Sequence, residues 1–261
     1  MKKAAGIISL LIVLSMILLS FSACGKKVPL SERLDEAMQK IVDSKVLDCE
    51  LTGKVVMSME GITIDAPLTA SIKTDMRDEN NQKSSTDFKL RFMDQDVSAK
   101  SCTVDGMNYT EAMGIKIKSP VSENSGENFE DQIGMNLSDF QKIFTETYKI
   151  ENAEIKEEKD GSFKAKFVVG AESDMLKTLA SAFKGVLGNA DAEIGDATIE
   201  FNIDKNNTVV SASLNMSVKV NIENFKTDYS MTLDAVYNPV GDDFKIEAPA
   251  DADSYVYSFD S

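Results

Sequence analysis

The stretch ELTGKVVMSMEGITIDAPLTASIKTD (residues 50–75) decides how this chain folds. Leu51, Val55, Met57 and Met59 alternate with Thr52, Lys54 and Ser58. Beyond the turn signal EGIT, Ile62, Ile64, Ala66, Leu68, Ala70 and Ile72 alternate with Thr63, Asp65, Thr69, Ser71 and Lys73. Period two with one polar face marks antiparallel strands that bury one side only. Runs of this length are about twice the ordinary strand, and long strands twist, so a strongly curved sheet is expected.

The same period recurs outward from this stretch. Phe88, Leu90 and Phe92 alternate with Asp87, Lys89 and Arg91, and CTVDGMNYTEAMGIKIKSP (102–120) reads as short strands around Asp105-Gly106 and Gly114. Strands are expected at 151–158 and 162–169 around KDGS, and at 197–203 up to DKNN. Val210, Ala212, Leu214, Met216, Val218, Val220 and Ile222 form the next apolar face, and Phe225, Tyr229, Met231, Leu233, Ala235 and Tyr237 the one after. A short strand is expected at 244–247.

Three stretches carry the helical period instead. Ser31 is expected to cap a helix running to Ser44, with Leu34, Ala37, Met38, Ile41 and Val42 on one stripe. Ser138 is expected to cap a second, with Phe140, Ile143, Phe144 and Tyr148. Ser173 is expected to cap a third, with Leu176, Leu179, Ala180, Phe183 and Leu187, stopped by Gly188. The polar run from Ser119 to Gly134 reads as a loop. No Pro/Gly-rich linker divides the chain, so residues 31–261 are expected to be one α+β domain: a curved antiparallel sheet with about three helices on its concave face.

The N-terminus has another character. Lys2 and Lys3 precede an apolar run from Ala4 to Leu19, and Ser22-Ala23 stand before Cys24. This is the order of an export signal; an uncleaved transmembrane anchor is the competing reading. The small pair before a cysteine resembles the bacterial lipobox, although Phe21 stands where Leu is usual. On that reading residues 1–23 are a removable signal, Cys24 is lipidated, and residues 24–30 are a tether. Either way the rest of the chain is extracytoplasmic.

Without Lys2 and Lys3 the chain has 26 basic against 43 acidic residues, and the formal charge moves from −15 to −17. So acidic a surface disfavours nucleic acid and polybasic membrane binding. Cys49 and Cys102 could form a disulfide in an oxidising compartment, or be two small buried hydrophobes. There is no histidine, hence no commonest general base and no His/Cys zinc set. Neither dinucleotide nor P-loop motifs occur. The acidic runs at 189–196 and 251–260 lack calcium-loop spacing. No enzyme, metal or cofactor is expected.

What remains is the apolar strand face, rich in methionine, which accommodates varied apolar shapes. Its candidate ligand-contacting residues are Val55, Met57, Ile64, Leu68, Phe88, Leu90, Leu214, Met216, Met231 and Leu233.

The lipobox, the helix LSERLDEAMQKIVDSKV, the VDGMNY hairpin, the strands TVVSASLNMSVKV and FKTDYSMTLDAVYN and the closing KIEAPADA together resemble LolA/LppX-like bacterial lipoproteins, including uncharacterised lipoproteins of Firmicutes. The resemblance implies an unclosed β-barrel with helices across its concave side and a cavity for acyl chains. It implies a lipid-anchored protein on the outer face of a Gram-positive cell membrane that binds a lipid or other amphiphile. The alternative, also found among such proteins, is a sensory or regulatory lipoprotein acting through an envelope protein partner.

Overall fold

The computed structural model describes residues 28–59, 61–78, 80–93, 95–121, 153–173, 176–177, 191–222 and 225–258. The signal, Cys24 and the second expected helix lie outside these residues, as does most of the third and the side chain of Val42.

Among the described residues, thirteen strands form one sheet: β1 (Val46–Met59), β2 (Ile62–Asp75), β3 (Lys83–Phe92), β4 (Gln95–Val104), β5 (Met107–Ala112), β6 (Ile115–Pro120), β7 (Glu154–Glu157), β8 (Phe163–Val169), β9 (Asp191–Ile194), β10 (Ala197–Ile203), β11 (Val209–Ile222), β12 (Phe225–Tyr237) and β13 (Val256–Tyr257). Their order is β13-β6-β5-β4-β3-β2-β1-β12-β11-β10-β8-β7, with β9 beside the far end of β11. Every pairing is antiparallel except β13 on β6, and the two outer strands do not meet. The sheet is curved and unclosed. Its four longest strands, β2, β1, β12 and β11, lie side by side at its centre, so the first and last long hairpins are joined by β1 on β12.

The turns follow their residues. Asp105 and Gly106 both take positive φ, as do Met113 and Gly114. These are the paired left-handed conformations of a two-residue hairpin.

Only one α-helix of any length, α1 (Leu30–Asp43), is found among the described residues, rather than about three. It begins directly after Pro29, with no side-chain cap, and the Arg33 amide already donates to the Pro29 carbonyl. Ser31 therefore sits within the first turn and is not the cap. Of the third expected helix, Leu176 and Lys177 are helical. The Leu176 amide donates to Ser173 Oγ at 3.2 Å, so Ser173 caps as the sequence predicts.

The core divides between the two faces of the sheet. On the inner face, Leu34, Ala37 and Met38 of α1 and Leu176 pack on Phe163, Phe167, Phe201 and their neighbours. Arg33 pins α1 to the strand ends: Nε donates to Asn207 Oδ1 at 2.7 Å and Nη2 to the Gly161 carbonyl at 2.9 Å. Its guanidinium also stands 4.7 Å above the Phe163 ring. On the outer face, Cys102 and Val104 pack with Ile246, Phe244 and Tyr109.

That second cluster corrects the expected strand at 244–247. The segment forms no strand, because Phe244 and Ile246 lie on the outer face rather than extending an edge. The chain then reaches β6 and adds β13 to it. Lys116 pairs with Asp251, and the Lys118 ammonium lies 4.9 Å from the Tyr257 ring.

Candidate functional site

Strand register places all ten candidate residues on the inner face. Leu214, Leu233, Leu68 and Leu90 belong to one transverse row. It runs Phe167, Ile199, Leu214, Leu233, Gly53, Leu68, Leu90, Val97 across eight strands. Met216, Met231 and Val55 face Ala66 in the next row. Met57 and Ile64 stand one row further on. Phe88 belongs to the row on the other side, with Leu51 and Ala70.

Burial along these rows is graded. Met216 is buried, and the other nine are half-buried. The row through Phe201 is filled on the α1 side, where Ala165 and Phe201 have no exposed surface. Toward β4 the face opens, and Val97 is 36% exposed.

One register shift corrects the sequence reading. Asn202 pairs with Ser211 while Ile203 pairs with Val209, leaving Val210 as the extra residue of a bulge. Val209 therefore points inward, 4% exposed, and Val210 outward at 41%. The alternation of β11 returns to the expected residues from Ala212 onward.

The two cysteines are not joined. Both are free and buried. Cys49 stands opposite Tyr237 on the inner face, whereas Cys102 belongs to the outer cluster. Three strand steps separate β1 from β4, on the order of 14 Å at ~4.8 Å per step. A disulfide needs Cα atoms about 4.4–6.8 Å apart. Burial, together with the Glu50 and Asp48 charges, pushes the Cys49 thiol up to about 11; burial raises that of Cys102 as well. Both should therefore resist Ellman's reagent at pH 8 in the native chain and react once guanidinium unfolds it. A bridged pair would react in neither state.

A feature that strand periodicity did not reveal lies where the last turn of α1 meets the sheet. A cavity of about 280 Å³ opens there, bounded by Ile41 of α1, Leu47 and Thr74 of the sheet, Met76, Val209 and the Tyr237 ring. Its size is near the lower end of small-molecule pockets. None of the ten candidate residues lines it. The cavity joins segments far apart in sequence, so no local motif announces it.

No protein-family model matches the chain, and no curated protein does. Solved structures do. LprF from Mycobacterium bovis is 13% identical over 84% of this chain and 96% of its own, with a TM-score of 0.43. A Vibrio parahaemolyticus domain described as an outer membrane lipoprotein-sorting protein is 10% identical over 82% and 95%, with a TM-score of 0.26. A DUF1329 family protein from Desulfovibrio piger is 10% identical over 80% and 93%, at 0.28. No helix among the described residues is long and apolar enough to cross a membrane.

Proposed function

We propose that this chain is an extracytoplasmic lipoprotein, anchored through Cys24, that binds a lipid or other amphiphile on the inner face of its sheet. The observation that carries this reading is the transverse row from Phe167 to Val97 with the methionine row beside it. Leu214, Leu233, Leu68, Leu90, Met231 and Val55 stand there half-buried, beside the buried Phe167, Ile199 and Met216. An alkyl chain laid along them would remove apolar surface from water at about 25 cal/mol per Å². The work is binding, with no chemical step.

Affinity should rise with ligand chain length. Each added methylene contributes about 0.8 kcal/mol, roughly a fourfold tightening, until the row is covered. Titration of a fluorescent fatty-acid series against the purified chain measures this, with native mass spectrometry to detect any amphiphile that co-purifies. Leu68→Gln or Leu214→Gln should weaken the longest probes most. An absence of binding at every length, with no co-purified amphiphile, would overturn the reading.

One observation favours a second reading, a regulatory lipoprotein with a protein partner. Ile115, Ile117, Val256 and Tyr257 are between 40% and 69% exposed, and Met113 is 82% exposed, at the β6 edge. A photo-crosslinker at Ile115 that captures one defined envelope protein in cells, lost on Ile117→Asp, would support it.

A further inference from the structure

The cavity under the last turn of α1 is lined by Thr74, a polar group whose state the sheet-face reading does not explain. Thr74 is 4% exposed, and its hydroxyl is buried without a hydrogen-bond partner among the described residues. It lies on a strand position facing inward, opposite Leu47 and Ser84, and it lines the cavity. Leaving a buried hydroxyl unpaired is unfavourable, so a group that brings an acceptor or donor to Thr74 is favoured there.

Three other polar side chains on the lining, those of Ser44, Lys40 and Asp48, are already engaged. Ser44 Oγ donates to the Val46 carbonyl at 2.5 Å. Lys40 Nζ pairs with Glu36 at 2.7 Å and donates to the Asn206 carbonyl at 2.8 Å. The Asp48 carboxylate accepts from Asn238 Nδ2 at 2.9 Å and lies 3.5 Å from Lys73.

We infer that this cavity binds the uncharged polar tip of an amphiphile, an alcohol or ester oxygen attached to a short alkyl segment, through the Thr74 hydroxyl. The inference rests on the amphiphile-binding reading and narrows it. An anionic tip is disfavoured, because a carboxylate would lose its water beside Asp48 while the one ammonium on the lining, that of Lys40, is held by Glu36. A cationic tip would meet the Asp48 carboxylate but would leave the Thr74 donor unsatisfied. The volume admits a short chain or a single ring. Ile41, Leu47 and Val209 supply its apolar walls.

The test uses 1-octanol and octanoate, matched in chain length and differing in charge. They are titrated into the chain from residue 24 onward carrying Cys24→Ala, with ¹³C-methyl methionine labelling. Met76 lines the cavity, whereas Met216 and Met231 report on the sheet face. Octanol should shift the Met76 methyl saturably, with octanoate at least about tenfold weaker. Thr74→Val should weaken octanol about fivefold without lowering the thermal midpoint, and Thr74→Ser should restore it. Equal octanol affinity in Thr74→Val and wild type, or equal affinity for octanoate, overturns the inference. If octanol moves only Met216 and Met231, the sheet-face reading stands and this one fails. If no methyl moves with either probe while long fatty acids still bind, this inference alone fails; if those do not bind either, both fail.

Discussion

Replacing Phe201 by alanine should destabilise the chain by about 4–5 kcal/mol, at the upper end of what deleting a buried aromatic costs. The reason lies in its neighbours. Phe201 is fully buried and stands between Ala165 on β8 and Ala212 on β11. Its ring meets Phe167 edge-on, with centroids 5.8 Å apart and planes at 76°, an arrangement that adds about 0.5–1.5 kcal/mol beyond area burial. When a large side chain is lost, the cost falls if neighbours can move into the space. Here the lateral neighbours are alanines with no side chain to extend, so the cavity stays open. Urea unfolding followed by far-UV circular dichroism measures the loss. Phe88→Ala provides the contrast. It too sits between alanines, Ala70 and Ala99, but it is only half-buried. It should cost clearly less, and equal losses would mean that burial under α1 does not govern this row.

Periodicity made the strands and their faces readable, because a side chain's facing in a strand depends only on counting by two. Residues 50–59, 62–75, 84–92 and 212–222 each keep that count without interruption, and the ten candidate residues accordingly share one face. The count failed where backbone geometry changed it. The bulge at Val209 and Val210 has no marker in the residues themselves, since both are valine. Ser31 resembles a cap, but Pro29 sets the entry of α1 and the helix begins two residues earlier than that cap would place it.

Long-range pairing is a different kind of information. The sequence shows two long hairpins and does not show that β1 lies on β12. That union brings residues about 180 positions apart into register, and no local pattern specifies it. The separation of Cys49 from Cys102 follows from the same topology: the β2 and β3 steps between them and opposite pleat parity, neither visible in their spacing. The Thr74 cavity is likewise assembled from α1, β1, β2 and the ends of β11 and β12. In the sequence Thr74 is one more polar residue at the end of a strand. Only burial without a partner distinguishes it.

Gly53→Ala tests the joint that the topology creates, and it should cost roughly 2–3 kcal/mol despite adding a single methyl group. Gly53 lies on β1 at the middle of the transverse row, paired with Leu233 on β12 and Leu68 on β2. A Cβ there would come within 2.5 Å of Leu233 Cδ2 and 2.6 Å of the Thr232 carbonyl oxygen. The leucine could turn away, but the carbonyl belongs to the neighbouring strand's backbone, so relief requires β1 and β12 to shift where the two long hairpins join. The glycine is thus required by close approach, its bare Cα leaving room for Leu233 to lie across β1. Gly170→Ala is the matched control, because a Cβ there meets nothing within 4 Å; it should be neutral or slightly stabilising through the unfolded chain. Hydrogen exchange should show the Gly53→Ala loss concentrated in β1 and β12 amides, with β4–β6 little changed. If ligand binding depends on an unbroken apolar row, the same variant should weaken the longest fatty-acid probes and leave 1-octanol at Thr74 nearly unaffected, since the cavity lies at the opposite end of β1 from its turn. Uniform loss of both would instead mean that the sheet and the cavity respond as one unit.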